Sequence, residues 1–534
     1  MRFSQNAYCI CLILYIVFIR CTTSGYEMNK NGGNKYYLSL SGNDGHTGSR
    51  SHPWQSIEKL NSISLLPGDE VYFMDGSTYH GNIVLDSADS GNLEKKILIT
   101  SSGDKKAIIK GGTGEGLIAT GCSHIQISDL IFQGDGRKNG NVSDGVYISE
   151  ATNISINNCE VTGFQHSGIH LKQVADVEIT RIYAHQNGFA GIHVSGETAY
   201  NPSDYDNNNI YIGYCTAENN PGDPTVKDNH SGNGILASSV NKGIIEYCRA
   251  FNNGWDMDWT GNGPVGIWIW DSTDFIIQHC ISHDNKTNPV AKDGGGFDFD
   301  GGVSNSILQY CISYNNQGAG IGLFEFGAAK TWENNTVRYN ISFNDGIINP
   351  GALAIWKNEP QGTMRNCEIY NNTFYNNSTH GAALWIDNNH QGFNFRNNIF
   401  VYGSSFLFPG HKIEDEAFHG NCYWNLNGDE SIAGYKNIIQ WAQATGQEMV
   451  AGEMAGFYAD PVFNGTPYLA FTDPADINEQ HLSPFALDPG SPLIDRGIDL
   501  AKLFLLTTGE IDIAGTPIPQ GKGYEPGAME FKKK

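Results

Sequence analysis

A glycine-headed string recurs along the middle of this 534-residue chain: GVYISE from Gly145, GIHLKQ from Gly168, GIHVSG from Gly191, GILASS from Gly234, GIWIWD from Gly266, GFDFDG from Gly296, GIGLFEF from Gly320, GALAIWK from Gly351 and GAALWID from Gly381. After each glycine, apolar and variable letters alternate. A second string follows, as in ISINNCEV, IYIGYCTAENN, IIEYCRAFNN, FIIQHCISHDN, ILQYCISYNN and VRYNISFND. Counted between second strings, the period runs from 23 to 33 residues. Short strands and Asn/Gly turns repeating at that length fold as a solenoid, one coil per repeat.

Alternation assigns the faces of the coil, because residues i and i+2 of a strand share a side. The second letters (Val146, Ile169, Ile192, Ile235, Ile267, Phe297, Ile321, Ala352, Ala382) and the fourth (Ile148, Leu171, Val194, Ala237, Ile269, Phe299, Leu323, Ala354, Leu384) are apolar and are expected inside. The third letters (Tyr147, His170, His193, Leu236, Trp268, Asp298, Gly322, Leu353) and the fifth (Ser149, Lys172, Ser195, Ser238, Trp270, Asp300, Phe324, Ile355, Trp385) are expected outside. In the second string, Cys159, Cys215, Cys248, Cys280, Cys311 and Cys367 take equivalent places, with Ile182, Asn340 and Asn398 as substitutes. That pattern predicts an inward ladder of small residues with free thiols, since Asn and Ile hold the same place and free cysteine packs as a small hydrophobe. The Asn pairs after it, such as Asn252-Asn253 and Asn315-Asn316, suit sharp corners.

The amino terminus reads as an export signal, with Arg2 ahead of the apolar run Tyr8 to Ile19, too short for an ordinary membrane span. Cys21 behind it is a candidate lipid anchor. The protein is therefore expected to be secreted, periplasmic or held at the cell surface, and monomeric. A net charge of −24 argues against a nucleic-acid or anionic-membrane partner. The chain divides into signal and tether (1–34), amino-terminal cap and first coils (35–115), regular coils (116–402) and carboxy-terminal coils and cap (403–534). Trp54 to Ile63 has a helical pattern that would plug the open core, and Ile438 to Thr445 is expected to be a short helix. An insertion, Glu197 to Asn208, and three loops, Pro221–Asn233, Gly254–Val265 and Lys286–Gly295, are expected to wall a groove.

The outward columns carry the chemistry. Asp293, Asp298 and Asp300 crowd into DGGGFDFDGG; Asp271 lies one coil earlier and Glu325 one coil later. Mutual repulsion raises carboxylate pKa values, as a general acid requires, and glycoside hydrolysis uses a pair of such groups. The same acidic, Gly-rich string also suits calcium, held by Asp293, Asp298 and Asp300, or simple capping of strand ends. Trp268, Trp270, Phe324 and Trp356 flank the acids and predict a groove in which rings pack on sugar faces. Further along the face, His170, Lys172 and His193 form a stripe that reads as ordinary solvated surface residue by residue, or as a subsite for an acidic sugar when taken together. With Asp204 or Asp206 the two histidines would make a metal site.

The chain resembles the right-handed parallel β-helix superfamily of secreted carbohydrate-active proteins. YYLSLSGNDGHTGSRSHPWQSIEKL and LPGDEVYFMDGSTYHG look like its usual cap and first coils, and PGSPLIDRGIDL with GYEPGAMEF like its usual end. The resemblance implies an all-β, right-handed parallel β-helix with an amino-terminal cap and irregular carboxy-terminal coils. It also implies a polysaccharide or oligosaccharide partner. GFDFDGGVSNSILQYCISYNN is similar to the calcium-bearing coils of some pectate lyases, but GAGIGLFEF lacks the acids such families repeat. The reading adopted is a glycoside hydrolase with no required cofactor, its catalytic residues drawn from Asp298, Asp300, Glu325 and Asp271. The alternatives are a calcium-dependent polysaccharide lyase and a non-catalytic glycan-binding solenoid. Glu325 belongs to the catalytic set only if its strand ends by Phe324 and turns it outward.

Overall fold

The computed structural model describes residues 32–196, 204–326, 330–349, 351–357, 363–377, 382–387, 390–471 and 473–532. The signal segment with Cys21, and residues 197–203 of the insertion, lie outside the described residues. Among those described, three parallel sheets of 14, 11 and 14 strands wind into a right-handed β-helix. Strands three apart in sequence are neighbours within each sheet, so every regular coil gives one strand to each. The glycine-headed strings build the 11-stranded sheet. Val146–Ser149, Ile169–Lys172 and Ala190–Ser195 pair in register, Val146 with Ile169 and Ile169 with Ile192.

Both inward columns are buried as the alternation predicts, through Phe297, Phe299, Ile321 and Leu323. The string from Gly351 departs from it. Ile321 pairs with Leu353 and Leu323 with Ile355, so Leu353 and Ile355 face the core while Ala354 and Trp356 face out. The reading of Ala352 and Ala354 as the inward pair is one residue out of register, and a one-residue slip inverts every face. Gly351 has a φ of +104° and sits on the loop before the strand, so the ladder begins later than the glycine suggests. The next string keeps the expected faces: Leu384 and Ile386 pair with Leu353 and Ile355 inside, leaving Trp385 outside.

The second string forms an inner polar ladder. The backbone N–H of Cys215 points to the Sγ of Cys248, and that of Cys248 to the Sγ of Cys280, each at 3.4 Å. The N–H of Cys311 donates to Asn340, and the series continues through Asn372, Asn398 and Asn421. Cys367 is not part of it: Cys367 pairs with Asn335 and Phe393 in another sheet, and Asn372 holds the ladder position. All eight described cysteines are buried and free. Of each corner Asn pair, the first is left-handed (φ +53° at Asn252, +56° at Asn315) and the second turns inward. Asn187, Asn220, Asn253, Asn285 and Asn316 pass side-chain hydrogen bonds from coil to coil and end on Asp345.

The core is closed at its amino-terminal end by Trp54, Ile57 and Leu60, the last two on the single helical turn Ile57–Leu60. Ile438–Thr445 is helical and buries Trp441 against Phe406, Phe418 and Tyr423 near the far end. The carboxy-terminal segment folds back on a 14-stranded sheet: Leu469, Phe471, Leu482, Phe485 and Ile513 join Ile281, Ile312, Ile341, Tyr310 and Tyr339 in a second apolar cluster. The three corner loops do lie side by side. Lys227 pairs with Asp258, Asn262 donates to Asn229, and Asn288 donates to the carbonyl of Met257.

Candidate active site

The outer face of the 11-stranded sheet carries two stacked columns. Tyr147, His170, His193, Leu236, Trp268, Asp298, Gly322, Ala354 and Trp385 occupy successive rungs of one. The other runs through Ser149, Lys172 and Ser195, and further on through Ser238 and Trp270 and through Phe324 and Trp356. Asp300 follows Phe299 at the end of its strand and anchors there by donating its N–H to the carbonyl of Ile269.

Asp298 is only 3% exposed, and its Oδ1 has no hydrogen-bond partner among the described residues. Burial first, then the charges of Asp300 and Asp293, hold its carboxyl well above the ordinary range. Asp300 is half-buried; burial pushes it up to about 7, against a hydrogen bond from the N–H of Gly301, with Asp293 raising it further. Asp293 is pushed up to about 6 by burial, opposed by the N–H of Gly263 and by Lys292. Three mutually repelling carboxyl groups are thus set to titrate in sequence, which is how acid and base roles are divided between like residues.

Glu325 is a correction. Its strand, Ile321–Glu325, does not end at Phe324, and strict alternation turns Glu325 into the corner of the core, 0% exposed. There its Oε2 accepts the N–H of Gly302 at 3.1 Å, and burial raises its pKa to about 8. Asp271 is likewise inside, with φ +49°, its Oδ1 3.1 Å from Nζ of buried Lys330. Burial raises Asp271 to about 6, against that cation. Neither is presented to the groove beside Asp298 and Asp300.

Among the aromatics, Trp270, Phe324 and Trp356 are half-buried on the outer face, and Phe326 joins them edge-on to Trp270 at 6.0 Å. Phe326 is the last letter of GIGLFEF, past the five positions whose faces the alternation assigns. The Nζ of Lys292 stands 5.1 Å from the Trp356 ring centre. Trp268 faces away from the core yet is 4% exposed, closed over by Leu236, Val265, Phe189 and His230, with Nε1 donating to Asn233. It supports the groove floor and does not offer a ring face. Trp385 is covered from the carboxy-terminal side by His411.

His170 and His193 stack at 4.6 Å, as adjacent rungs require. Asp204 and Asp206 do not complete a metal site with them. The carbonyl of Asp204 accepts from Lys330, and the charge of Asp206 acts on Asp271. His170 instead takes Asp144, a residue the strings passed over because it precedes Gly145. Burial, then His170 and His230, holds His193 well below its ordinary pKa. Among the described residues no group of three or more His, Cys, Asp or Glu side chains is arranged to hold a metal ion. Within the acidic string, Asp293 and Asp300 each already accept a backbone N–H.

A profile described as Pel9A-like, right handed beta helix region, matches residues 36–358. The chain belongs to this Pel9A-like β-helix family. Its solved structural neighbours include a GH136 lacto-N-biosidase from Eubacterium ramulus, at 16% identity over 73% of this chain and 67% of that one, with a TM-score of 0.47. Pectate lyase Pel9A aligns over 94% of this chain and 98% of its own, at 15% identity and a TM-score of 0.44. A rhamnogalacturonan lyase aligns over 75% and 89%, at 16% and 0.41. No curated protein matches the chain. No described helix is long and apolar enough to cross a membrane.

Proposed function

We propose that this Pel9A-like protein is a glycoside hydrolase acting on a polysaccharide or oligosaccharide, with Asp298 and Asp300 as its catalytic carboxyl groups. The observation that carries the reading is the Oδ1 of buried Asp298, without a hydrogen-bond partner among the described residues, two residues before half-exposed Asp300, which follows the last strand residue, Phe299. Asp298, whose carboxyl is held well above its ordinary range by burial and by Asp300 and Asp293, is the general acid for the departing glycosidic oxygen. Asp300, ionising at about 7, is the carboxylate that attacks the sugar or activates water. Trp270 and Phe324, on either side of Asp300 along the column, supply apolar faces for sugar rings. Elimination beside a uronate asks for neutralisation of the substrate's charge, whereas three carboxyl groups crowd this point of the groove. No step here needs a metal.

The test is digestion of a panel of plant and algal polysaccharides by the whole chain, with and without chelator. New reducing ends are followed together with absorbance of an unsaturated product. Reducing ends without that absorbance, unaffected by chelator, are expected. Unsaturated product would assign a lyase, and binding without turnover a glycan-binding solenoid. Asp298→Asn and Asp300→Asn are each expected to lower turnover by about a hundredfold or more, with melting nearly unchanged.

A further inference from the structure

Three consecutive rungs of the same face bring together an aspartate, a histidine and a serine. The Nδ1 of His170 lies 2.8 Å from the Oδ2 of Asp144, and its Nε2 lies 2.8 Å from the Oγ of Ser195. The other oxygen of Asp144 accepts the N–H of Ser167 at 2.7 Å, so the carboxylate is fixed from two sides. The imidazole is clamped as well, by His193 stacked at 4.6 Å and Tyr147 edge-on at 5.3 Å. A bond from Nδ1–H to Asp144 goes with the tautomer whose Nε2 is bare and can take the proton of Ser195, whose Oγ also lies 3.4 Å from the carbonyl of Leu171. Ser195 and His170 are both half-buried on the outer face. Lys172 occupies the rung directly opposite Ser195 and brings a cation to that column. Hydrogen-bonded nucleophile, base and orienting carboxylate are the geometric signature of covalent acyl transfer.

We infer that Asp144, His170 and Ser195 form a second catalytic centre that hydrolyses acyl esters, with O-acylated sugars of the glycan in the groove as its substrate class. The Oγ of Ser195 attacks the ester carbonyl as its proton passes to Nε2 of His170. The ester C–O bond then breaks, and His170 returns the proton to the departing sugar oxygen. Water attacks the acyl-serine by the same relay, releasing the carboxylic acid and restoring the hydroxyl. The centre lies three rungs from Asp298, roughly 14 Å at 4.8 Å per rung, so one bound chain can span both. The sugar as substrate rests on the glycosidase reading above; the esterase chemistry does not.

The whole chain is tested with 4-nitrophenyl acetate, with acetylated xylan (acetate release) and with a fluorophosphonate whose adduct is located by mass spectrometry. Expected are a phosphonate on Ser195, nitrophenol release that falls at least about a thousandfold in Ser195→Ala, and a comparable fall in His170→Ala. Asp144→Asn keeps the shape but not the tautomer preference and is expected to lose about a hundredfold or more. Ser149→Ala, outside the triad, retains the rate. The adduct is read on the unaltered protein, so a variant that misfolds does not decide the outcome. No adduct, or a rate unchanged in Ser195→Ala, overturns the inference. Glycan cleavage without ester hydrolysis would overturn this centre alone. Nitrophenyl ester hydrolysis without glycan cleavage would support it and sink the Asp298–Asp300 reading.

Discussion

Asp298 and Glu325 carry the same chemical group one coil apart, yet one faces the groove and the other the core. The difference is parity along the strand. Gly322, the rung beside Asp298, bears on access to the acid: a Cβ there would stand 3.0 Å from Asp298 Oδ1 and 2.6 Å from the Phe324 ring. Gly322→Ala is therefore expected to push Phe324 aside and crowd Asp298, lowering polysaccharide turnover about tenfold while melting shifts by little. Unchanged kinetics would remove Gly322 from the site. Glu325 has a signature of its own. Its carboxyl ionises at about 8 in the fold against an ordinary 4.5. Between these values the folded chain holds a proton that the unfolded chain has released, so its contribution lowers stability as pH rises across that window. Glu325→Gln keeps an acceptor for the N–H of Gly302 and is expected to flatten the fall in melting temperature from pH 5 to pH 8. Other raised carboxyls leave part of the slope. An identical pH profile in the variant would refute this account.

At the scale of the element, the coil is held in register by its polar ladders as well as its apolar columns. Asn253 donates to the carbonyl of Ala217 and to Asn285, and accepts two bonds from Asn220. Asn253→Ala would leave those buried partners unmatched, and a loss of about 1–3 kcal/mol is expected in denaturant unfolding. In the adjoining ladder burial raises Cys159 to about 12 and holds Cys215, Cys248 and Cys280 well above the ordinary thiol range, so these thiols are neutral and shielded at pH 7. Thiol counting should find the eight described cysteines unreactive in the native chain and all reactive in denaturant without reductant. A deficit of two would mean a disulfide. Both ladders were visible as Cys and Asn columns, but Cys367 was misplaced. Several Asn residues near it fit the pattern equally well, and only strand pairing picks Asn372.

Across the whole molecule, the carboxy-terminal segment acts as a second skin. Ending the chain after residue 465 would expose Ile281, Ile312, Ile341 and Tyr339, which now pack on Leu469, Phe471, Phe485 and Ile513. Each such side chain contributes roughly 1.5–3 kcal/mol when buried. The truncated chain is expected to bind a dye for exposed apolar surface and to melt at a lower temperature. A truncation that melts like the full chain would show that the segment is an independent appendage.

The sequence by itself determined the coil, the faces of its regular strands, the acidic and aromatic character of one outer face and the adjacency of the corner loops. All of these follow from a two-residue period locked to a repeating length. Tertiary structure alone decided where a strand stops, which is why Glu325 and Asp271 went inward and the Gly351 string slipped by one. It alone decided that Trp268 is roofed over, because two of the covering rings, Phe189 and His230, come from corner segments outside the repeat. It alone joined Asp144 to His170 and Ser195, since those three are 26 and 25 residues apart along the chain and meet only when the coils stack.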